Sequence, residues 1–346
     1  FNNKSLDQMD AMKITAALFL SYICFSSSMA ICPNQCTCYF SNNTTAVICV
    51  SIESLYEVPE NIPPNATRIS LEFTNVGIIE EKDFLGFHQL EELHLSNNRL
   101  TNISSGALKG LHQLRILDLT NNLLTTIAPE LFSTSFNLTT LVLLGNKLQT
   151  VNPLWFYHLH SLESLDLSNN MLKSLPPNSF QNLTNLITLD LSSNKLEHLS
   201  IDLFNKMSKL KRLNLGDNQL RSVLPGTFDH LLNLEYLFLN ANQIGKIPVG
   251  LFNKLLKLDT MDLSNNKLES LPPGVFDKLL HIGTKWQQGL DVSLNPWVCN
   301  CELMYLWNWL TMNSEKMFSL DSTVCAKPEI VREKQITALT EVELMC

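Results

Sequence analysis

The chain has 346 residues and a formal net charge of −8, with 17% charged and 45% apolar residues. That apolar content excludes a disordered polymer, because it is enough to build a core. The acidic balance argues against nucleic-acid binding, since no basic surface would release counterions from phosphates. Sixty-four residues are leucine, a density that indicates a repeated unit.

Residues 1–30 have the pattern of a short upstream segment followed by a secretory signal peptide. Lys13 supplies a positive start, residues 14–25 are apolar, and residues 28–30 read Ser-Met-Ala, a small-x-small cleavage signal. The apolar run is shorter than the roughly 20 residues that a membrane span needs. We therefore expect cleavage after Ala30, secretion to the extracellular space and no membrane span.

Eight of the nine cysteines follow that cleavage point, and they form two groups of four. An even number of cysteines in a secreted chain indicates disulfides. A zinc site is the weaker alternative, because oxidising surroundings and the lack of nearby histidine pairs argue against it. We assign the first group to an N-terminal cap, residues 31–65, and the second to residues 290–346. The groups are Cys32, Cys36, Cys38 and Cys49, and Cys299, Cys301, Cys325 and Cys346.

Between the two groups, an asparagine recurs every 24 residues in the frame LxxLxLxxNxL. An earlier, imperfect copy has Thr74 in place of the asparagine, and a last partial copy contains Asn295. This frame is the signature of the leucine-rich repeat, and we predict about nine repeats over residues 66–289. The strictly spaced positions are Asn98, Asn122, Asn146, Asn170, Asn194, Asn218, Asn242 and Asn266.

The spacing predicts an α/β leucine-rich-repeat solenoid, a horseshoe with a parallel concave sheet and an irregular convex side. Side chains alternate along a strand, so the leucines of each LxL pair point to one side, the core. The asparagine amide can satisfy backbone groups where the chain leaves the strand. A second core row on the convex side is expected from phenylalanines at one place in most units. They are Phe84, Phe132, Phe156, Phe180, Phe204, Phe228, Phe252 and Phe276.

Both ends of such a stack need a cover, because a terminal repeat cannot bury its own apolar face. The disulfide caps supply those covers. In the C-terminal cap, Leu303, Leu306 and Leu310 recur at helical spacing. We therefore predict a helix from about Glu302 to Phe318.

The residues between the leucines of each strand face away from the core and form the candidate binding surface. Two apolar groups interrupt its polar character: Tyr236 with Phe238 on one strand, and Ile116, Val142 and Leu144 further towards the N-terminus. Exposed aromatic residues on a sheet are enriched at interface centres. Isolated exposed apolar residues are also ordinary. We take both groups as partner-binding candidates.

Asp118, Asp166 and Asp190 form a row along the same surface. Such a row is more often a solvated face than a cation or catalytic site, and we retain these residues as further partner-binding candidates. The sequence has no Gly-rich phosphate loop, no HExxH and no GxSxG motif. It therefore predicts a protein that is not an enzyme and needs no metal or cofactor.

Glycan acceptors follow the pattern N-x-S/T, and none of them falls on the candidate binding surface. Two acceptors overlap, so we expect only one of that pair to carry a sugar. The acceptors are Asn42, Asn43, Asn65, Asn102, Asn137 and Asn182.

Several stretches resemble the leucine-rich alpha-2-glycoprotein family. They are ISLEFTN, LRILDLTNNLL, EYLFLNANQI, KMFS, CAKPE and an irregular insert with Trp286 before GLDVSLNPWVC. The likeness covers about residues 66–331. The resemblance implies a secreted plasma glycoprotein that acts by binding. It also implies the family's partners, an accessory receptor of transforming growth factor beta signalling or cytochrome c, and a role in vessel growth.

Resemblance to other leucine-rich-repeat caps implies the disulfides Cys32–Cys38, Cys36–Cys49, Cys299–Cys325 and Cys301–Cys346. The sequence also resembles the large non-catalytic subunit of carboxypeptidase N and the variable lymphocyte receptors. Small matrix proteoglycans are more distant, because their C-terminal ends lack the NPWxCxC cap. A carrier or stabilising subunit and an immune recognition protein therefore remain alternatives to a signalling modulator. We expect a monomer.

Overall fold

The computed structural model describes residues 32–42, 44–285 and 289–346. Over this range, twelve strands form one sheet in chain order. The N-terminal pair is antiparallel and every later pair is parallel. Two short strands, β4 (Ile78–Ile79) and β6 (Asn102–Ile103), pair separately. The twelve strands are β1 (Thr37–Phe40), β2 (Thr45–Val50), β3 (Arg68–Glu72), β5 (Glu92–His94), β7 (Ile116–Asp118), β8 (Thr140–Val142), β9 (Ser164–Asp166), β10 (Thr188–Asp190), β11 (Arg212–Asn214), β12 (Tyr236–Phe238), β13 (Thr260–Asp262) and β14 (Leu290–Asp291).

The sheet has more strands than the roughly nine predicted repeats supply, because it continues into both caps. The hairpin β1–β2 of the N-terminal cap pairs through β2 with β3, and β14 of the last partial repeat pairs with β13. Backbone N–H and C=O groups at the ends of a sheet need partners, and the caps supply them. The predicted parallel solenoid with a disulfide cap at each end is confirmed, and its sheet extends into both caps.

The core consists of periodic layers of apolar side chains. In β10, Leu189 is fully buried, whereas its neighbours Thr188 and Asp190 are half-buried on the opposite, concave side. All eight predicted phenylalanines are buried, with at most 2% of each side chain exposed. Among the described residues, the convex side consists mainly of turns, with a 3-10 segment at Pro153–Phe156. The predicted convex phenylalanine row is therefore part of the core.

The frame asparagines form a buried hydrogen-bonded ladder between repeats. Asn170 Nδ2 donates to the carbonyls of Leu143 (2.9 Å) and Leu167 (3.1 Å), and its Oδ1 accepts from the N–H of Leu148 (3.0 Å). The later frame asparagines make equivalent bonds, for example Asn194 and Asn218. Asn98 differs, because its Oδ1 accepts from the N–H and hydroxyl of Thr74. Because buried backbone groups without partners are costly, one amide per repeat satisfies groups that the strand leaves unpaired.

The residue before each frame asparagine adopts a left-handed backbone conformation. Asn97, Asn121 and Asn169 suit this conformation, since asparagine tolerates it better than most residues. Ala241 does not, although it has the same geometry, with φ of 52°. The tight turn after each strand is thus a fixed requirement of the fold, and some repeats meet it with a poorly suited residue.

Two disulfides close each cap. At the N-terminal end they join Cys32 to Cys38 and Cys36 to Cys49. These and the two C-terminal disulfides are the pairs that the resemblance to related caps implies. The C-terminal disulfides are Cys299–Cys325 and Cys301–Cys346.

The C-terminal cap contains a small parallel pair, β15 (Trp297–Val298) with β16 (Cys325–Lys327), and one helix, α1 (Met304–Met312). The predicted helix over 302–318 was too long. The chain leaves helical geometry at Asn313, whose Nδ2 donates to the carbonyl of Trp309 (2.9 Å). A 3-10 turn follows at Ser314–Lys316.

Three predictions fall on residues outside the described ranges: the signal peptide of residues 1–30, the acceptor Asn43 and the insert residue Trp286. In the part of the chain that the structure does describe, no helix is both long and apolar enough to cross a membrane.

Candidate partner-binding site on the concave face

An open recess of about 400 Å³ lies at the C-terminal end of the concave sheet. The register of the strands places Arg212, Tyr236 and Thr260 side by side, and in the next row Phe238 beside Asp262. Residues from four neighbouring strands, β11 to β14, thus line the floor of the recess. The C-terminal cap contributes its wall.

The aromatic pair of β12 forms the centre of the recess. The guanidinium carbon of Arg212 lies 4.5 Å from the ring centre of Phe238 and 5.9 Å from that of Tyr236. The two rings lie on the concave side of β12 and are half-buried there, whereas Leu237 between them is buried. Cation–π contacts of this kind stabilise an exposed site by about 0.5–1 kcal/mol. The arginine therefore helps to hold both rings in place.

Arg212 is exposed and makes no ion pair with any residue that the structure describes. Lys285, the other cation at these rings, differs in this respect. Its Nζ lies 5.9 Å from the Tyr236 ring centre, 3.0 Å from Glu235 and 3.5 Å from Asp259. These contacts neutralise Lys285, and its bond to Glu235 lowers the pKa of that carboxyl. Arg212 is thus the cation of this site that remains available to a partner.

Two carboxylates form the opposite side of the recess. Asp262 and Asp291 are register partners on β13 and β14. Each accepts a bond from a backbone N–H two residues further on, Asp262 from Ser264 (2.9 Å) and Asp291 from Ser293 (2.8 Å). Burial raises the pKa of Asp262, and the nearby charge of Asp291 adds to this effect. Neither carboxylate has a cationic partner among the described residues.

The wall of the recess is Phe318, which comes from the C-terminal cap. Its backbone N–H donates to the carbonyl of Leu290 in β14 (2.9 Å), which fixes the segment against the edge of the sheet. The same approach brings the carbonyl of Lys316 so close to Gly289 that a Cβ at that position has no room. A glycine at position 289 is therefore what allows the cap to close one side of the recess.

The N-terminal half of the concave face is organised differently. His94 Nε2 lies 3.1 Å from Glu92, and the same Glu92 oxygen lies 3.3 Å from Arg68. His94 Nδ1 lies 4.0 Å from Asp118. The Asp118 carboxylate raises the pKa of His94 against the opposing effect of burial. Burial acts to raise the pKa of Asp118, but bonds from His94 and Thr120 outweigh it, so this pKa is lowered.

The aspartate row is half-buried and bonded to its own strands. Asp118, Asp166 and Asp190 accept from backbone N–H groups two residues on, at 2.8–2.9 Å. Burial raises the pKa of Asp166 despite its bonds to Ser168. The expectation of a solvated face was therefore incomplete, because these carboxylates also fix the turn after each strand.

The other candidate residues lie outside the recess. Ile116, Val142 and Leu144 are half-buried on or just after β7 and β8. Of the glycan acceptors, Asn42, Asn65, Asn102 and Asn137 are exposed and Asn182 is half-buried, all off the concave strands. Within the described residues, no group of three His, Cys, Asp or Glu side chains is placed to hold a metal ion.

Sequence reasoning missed Asp291 and Phe318 as site residues, and it did not select Arg212 or Asp262. Asp291 occupies the middle concave position of the last partial repeat, so extending the strand register by one unit would have found it. Phe318 has no such signal, because it reaches the recess through the packing of the C-terminal cap.

The family model described as "Leucine rich repeat" matches four overlapping or adjoining segments that together span residues 64–282, more than half of the chain. The protein belongs to the leucine-rich-repeat family. A chain from the octameric complex of Latrophilin 3 (Lec, Olf), Unc5D (Ig, Ig2, TSP1) and FLRT2 (LRR) superimposes with a TM-score of 0.76 at 27% identity. The match covers 91% of this chain and 100% of that chain.

Curated relatives match over shorter stretches. Phospholipase A2 inhibitor of Gloydius brevicaudus siniticus is 35% identical over 96 residues, which is 28% of this chain and 28% of that protein. Leucine-rich repeat-containing protein 3 of Danio rerio is 33% identical over 27% of this chain and 34% of that protein. Human carboxypeptidase N subunit 2 is 38% identical over 15% of this chain and 9% of that protein. The chain spans about a third of the length of the first two relatives.

Proposed function

We propose that this chain is a secreted glycoprotein that binds a protein partner through the C-terminal half of its concave face. The observation that carries the proposal is the recess around Tyr236 and Phe238, where two half-buried rings lie beside an arginine with no ion pair among the described residues. Aromatic residues and arginine are the types most enriched among residues that dominate binding energy.

Secretion is supported by the four disulfides, which persist in oxidising compartments, and by the signal-peptide pattern of residues 1–30. Glycosylation is supported by the N-x-S/T acceptors. The acceptor asparagines lie off the concave strands, so attached sugars would leave the recess accessible. The proposed role is non-catalytic and needs no metal or cofactor.

Resemblance to leucine-rich alpha-2-glycoprotein gives the proposal its more specific form. The partner would be an accessory receptor of transforming growth factor beta signalling, and binding would modulate that signalling and vessel growth. Cytochrome c is a second partner that this resemblance implies. Ile116, Val142 and Leu144 would provide a smaller, secondary contact on the same face.

The alternative function is a carrier or stabilising subunit of an enzyme. The similarity to carboxypeptidase N subunit 2 favours it, because that name describes a subunit of an enzyme. An immune recognition role would use the same face. Each alternative keeps the concave recess as the binding surface and changes only the partner.

The test is affinity capture from serum with the immobilised secreted protein, repeated with the Tyr236→Ala/Phe238→Ala variant. We expect the variant to lose the captured protein while keeping a cooperative unfolding transition. A stoichiometric enzyme in the captured fraction would favour the carrier function. Direct binding to the accessory receptor or to cytochrome c would favour the signalling function.

A matched control is available on another surface. Phe136 and Tyr157 are 50% and 51% exposed and lie outside the concave strands. The Phe136→Ala/Tyr157→Ala variant therefore removes the same two side-chain types from a different place. Equal capture by the wild type and both variants would refute a site around Tyr236 and Phe238.

A further inference from the structure

The recess has opposite charges at its two ends, and neither charge is neutralised by the described residues. Arg212 stands on β11 at one end, and Asp262 with Asp291 stand on β13 and β14 at the other. The aromatic pair of β12 lies between them. This arrangement constrains the chemistry of the partner more closely than an apolar recess would.

We propose that the recess binds an extended partner segment carrying an acidic, an apolar and a basic side chain at alternate positions. The inference rests on the proposed function and specifies its partner. The acidic side chain would pair with Arg212, whose planar fork suits a carboxylate. The apolar side chain would cover Tyr236 and Phe238. The basic side chain would lie between Phe318 and the carboxylates of Asp262 and Asp291.

The spacing of the strands sets the spacing of the partner residues. β11 and β14 are separated by three strand intervals, or about 14 Å at about 4.8 Å per interval. The guanidinium of Arg212 reaches the Phe238 ring, and Phe238 is in register with Asp262 and Asp291. An extended segment rises about 3.3 Å per residue, so four residues span about 13 Å. Residues i, i+2 and i+4 of that segment also project to the same side. One face of an extended pentapeptide therefore fits the three contacts together.

A basic group at the acidic end would relieve a repulsion that the free protein retains. Asp262 and Asp291 are in register on neighbouring strands, and Phe318 lines the same recess. A lysine or arginine of the partner would pair with both carboxylates and lie against the Phe318 ring. An acidic segment would meet repulsion at this end, and a basic one would meet it at Arg212.

The probe for this proposal is the synthetic peptide acetyl-SESWSRS-amide, in which glutamate, tryptophan and arginine share one face when extended. The isomer acetyl-SSEWRSS-amide has the same composition but directs its charges to the face opposite the tryptophan. Binding to the intact secreted protein is measured by biolayer interferometry with both peptides immobilised at equal density. We expect the first peptide to bind at least about threefold more tightly, in line with two exposed ion pairs.

Charge changes in the protein test the two ends separately. Arg212→Glu should remove the preference for SESWSRS and increase binding to acetyl-SRSWSRS-amide. Asp262→Asn with Asp291→Asn should also remove the preference, while amide oxygens still accept from Ser264 and Ser293. Arg221→Glu, at an exposed arginine outside the concave strands, should leave it unchanged. A cooperative unfolding transition checks that each variant is folded.

Equal binding of the two isomers, or no binding of SESWSRS to the folded wild type, would overturn the charge pattern. A preference that survives both sets of charge changes would also overturn it. The capture experiment separates this failure from failure of the proposed function. If Tyr236→Ala/Phe238→Ala still abolishes capture from serum while the peptides are not distinguished, the binding site stands and only the partner pattern is wrong.

Discussion

The two halves of the concave face have the same backbone but use their side chains differently. From β3 to β10, polar groups contact one another: His94 lies by Glu92, and Asp190 accepts from Asn214 at the border with β11. From β11 to β14, the rings of β12 and the charges of Arg212, Asp262 and Asp291 have few such contacts. The capacity to bind a partner therefore depends on which side chains the fold leaves without polar contacts.

The largest expected effect tests whether the two halves share one scaffold. Asn122→Ala in the first half and Asn242→Ala in the second each remove an amide that donates to three carbonyls and accepts from one N–H. Buried groups left unpaired cost about 1–3 kcal/mol each. We expect each variant to lose about 3 kcal/mol or more of unfolding free energy in denaturant titrations. A much smaller loss in one half would mean that the ladder is not uniform.

The second prediction concerns binding. Tyr236→Ala/Phe238→Ala should weaken binding to the captured partner by about 2–3 kcal/mol, the range of dominant interface residues. Ile116→Ala/Val142→Ala should cost less than about 1 kcal/mol, as expected for peripheral contacts. Surface plasmon resonance with the purified partner measures both. A larger loss from the Ile116 pair would move the main site to the N-terminal half.

The third prediction uses pH to probe the N-terminal half. The pKa of His94 is raised in the folded protein, so its stabilising contribution is complete below the unfolded value of about 6.5. That contribution is lost as pH rises through the raised value. The stability advantage of the wild type over His94→Gln, at most about 1 kcal/mol for a half-buried pair, should therefore shrink between about pH 6 and pH 8. An advantage that grows over this range would contradict the assigned contacts of His94.

The smallest expected effect concerns the turn after β12. Ala241 has a left-handed backbone where Asn97 and Asn121 occupy the equivalent turns of the first half. Ala241→Asn should raise the unfolding free energy by about 0.5–1 kcal/mol, because asparagine tolerates this conformation better. Thermal unfolding measures the change, and Asn121→Ala should show a loss of similar size. If neither substitution changed the unfolding free energy relative to the wild type, stability would not depend on the residue type at this turn position.

Sequence periodicity predicted the scaffold well, because one physical requirement recurs in each repeat. The LxL pairs, the frame asparagines and the phenylalanine row each satisfy such a requirement, and their spacing reveals it. The site was only partly predictable. Tyr236 and Phe238 depart from the polar pattern of their positions and were selected for that reason.

The remaining features of the site depend on contacts that no periodicity encodes. Phe318 reaches the recess only because the cap packs against Gly289 and β14. The half-buried state of Phe238 depends on Arg212 from the preceding repeat. The helix α1 also ends before its predicted limit, at Asn313, whose side chain bonds to the carbonyl of Trp309.

Hydroxyl-radical footprinting of the complex captured from serum tests the central claim most directly. It compares the oxidation of exposed rings in the free and bound protein. We predict strong protection of Tyr236, Phe238 and Phe318 in the complex, with Phe136 and Tyr157 oxidised at the same rate in both states. Unchanged oxidation of the three recess rings, with protection of Phe136 and Tyr157 instead, would contradict binding through the concave face.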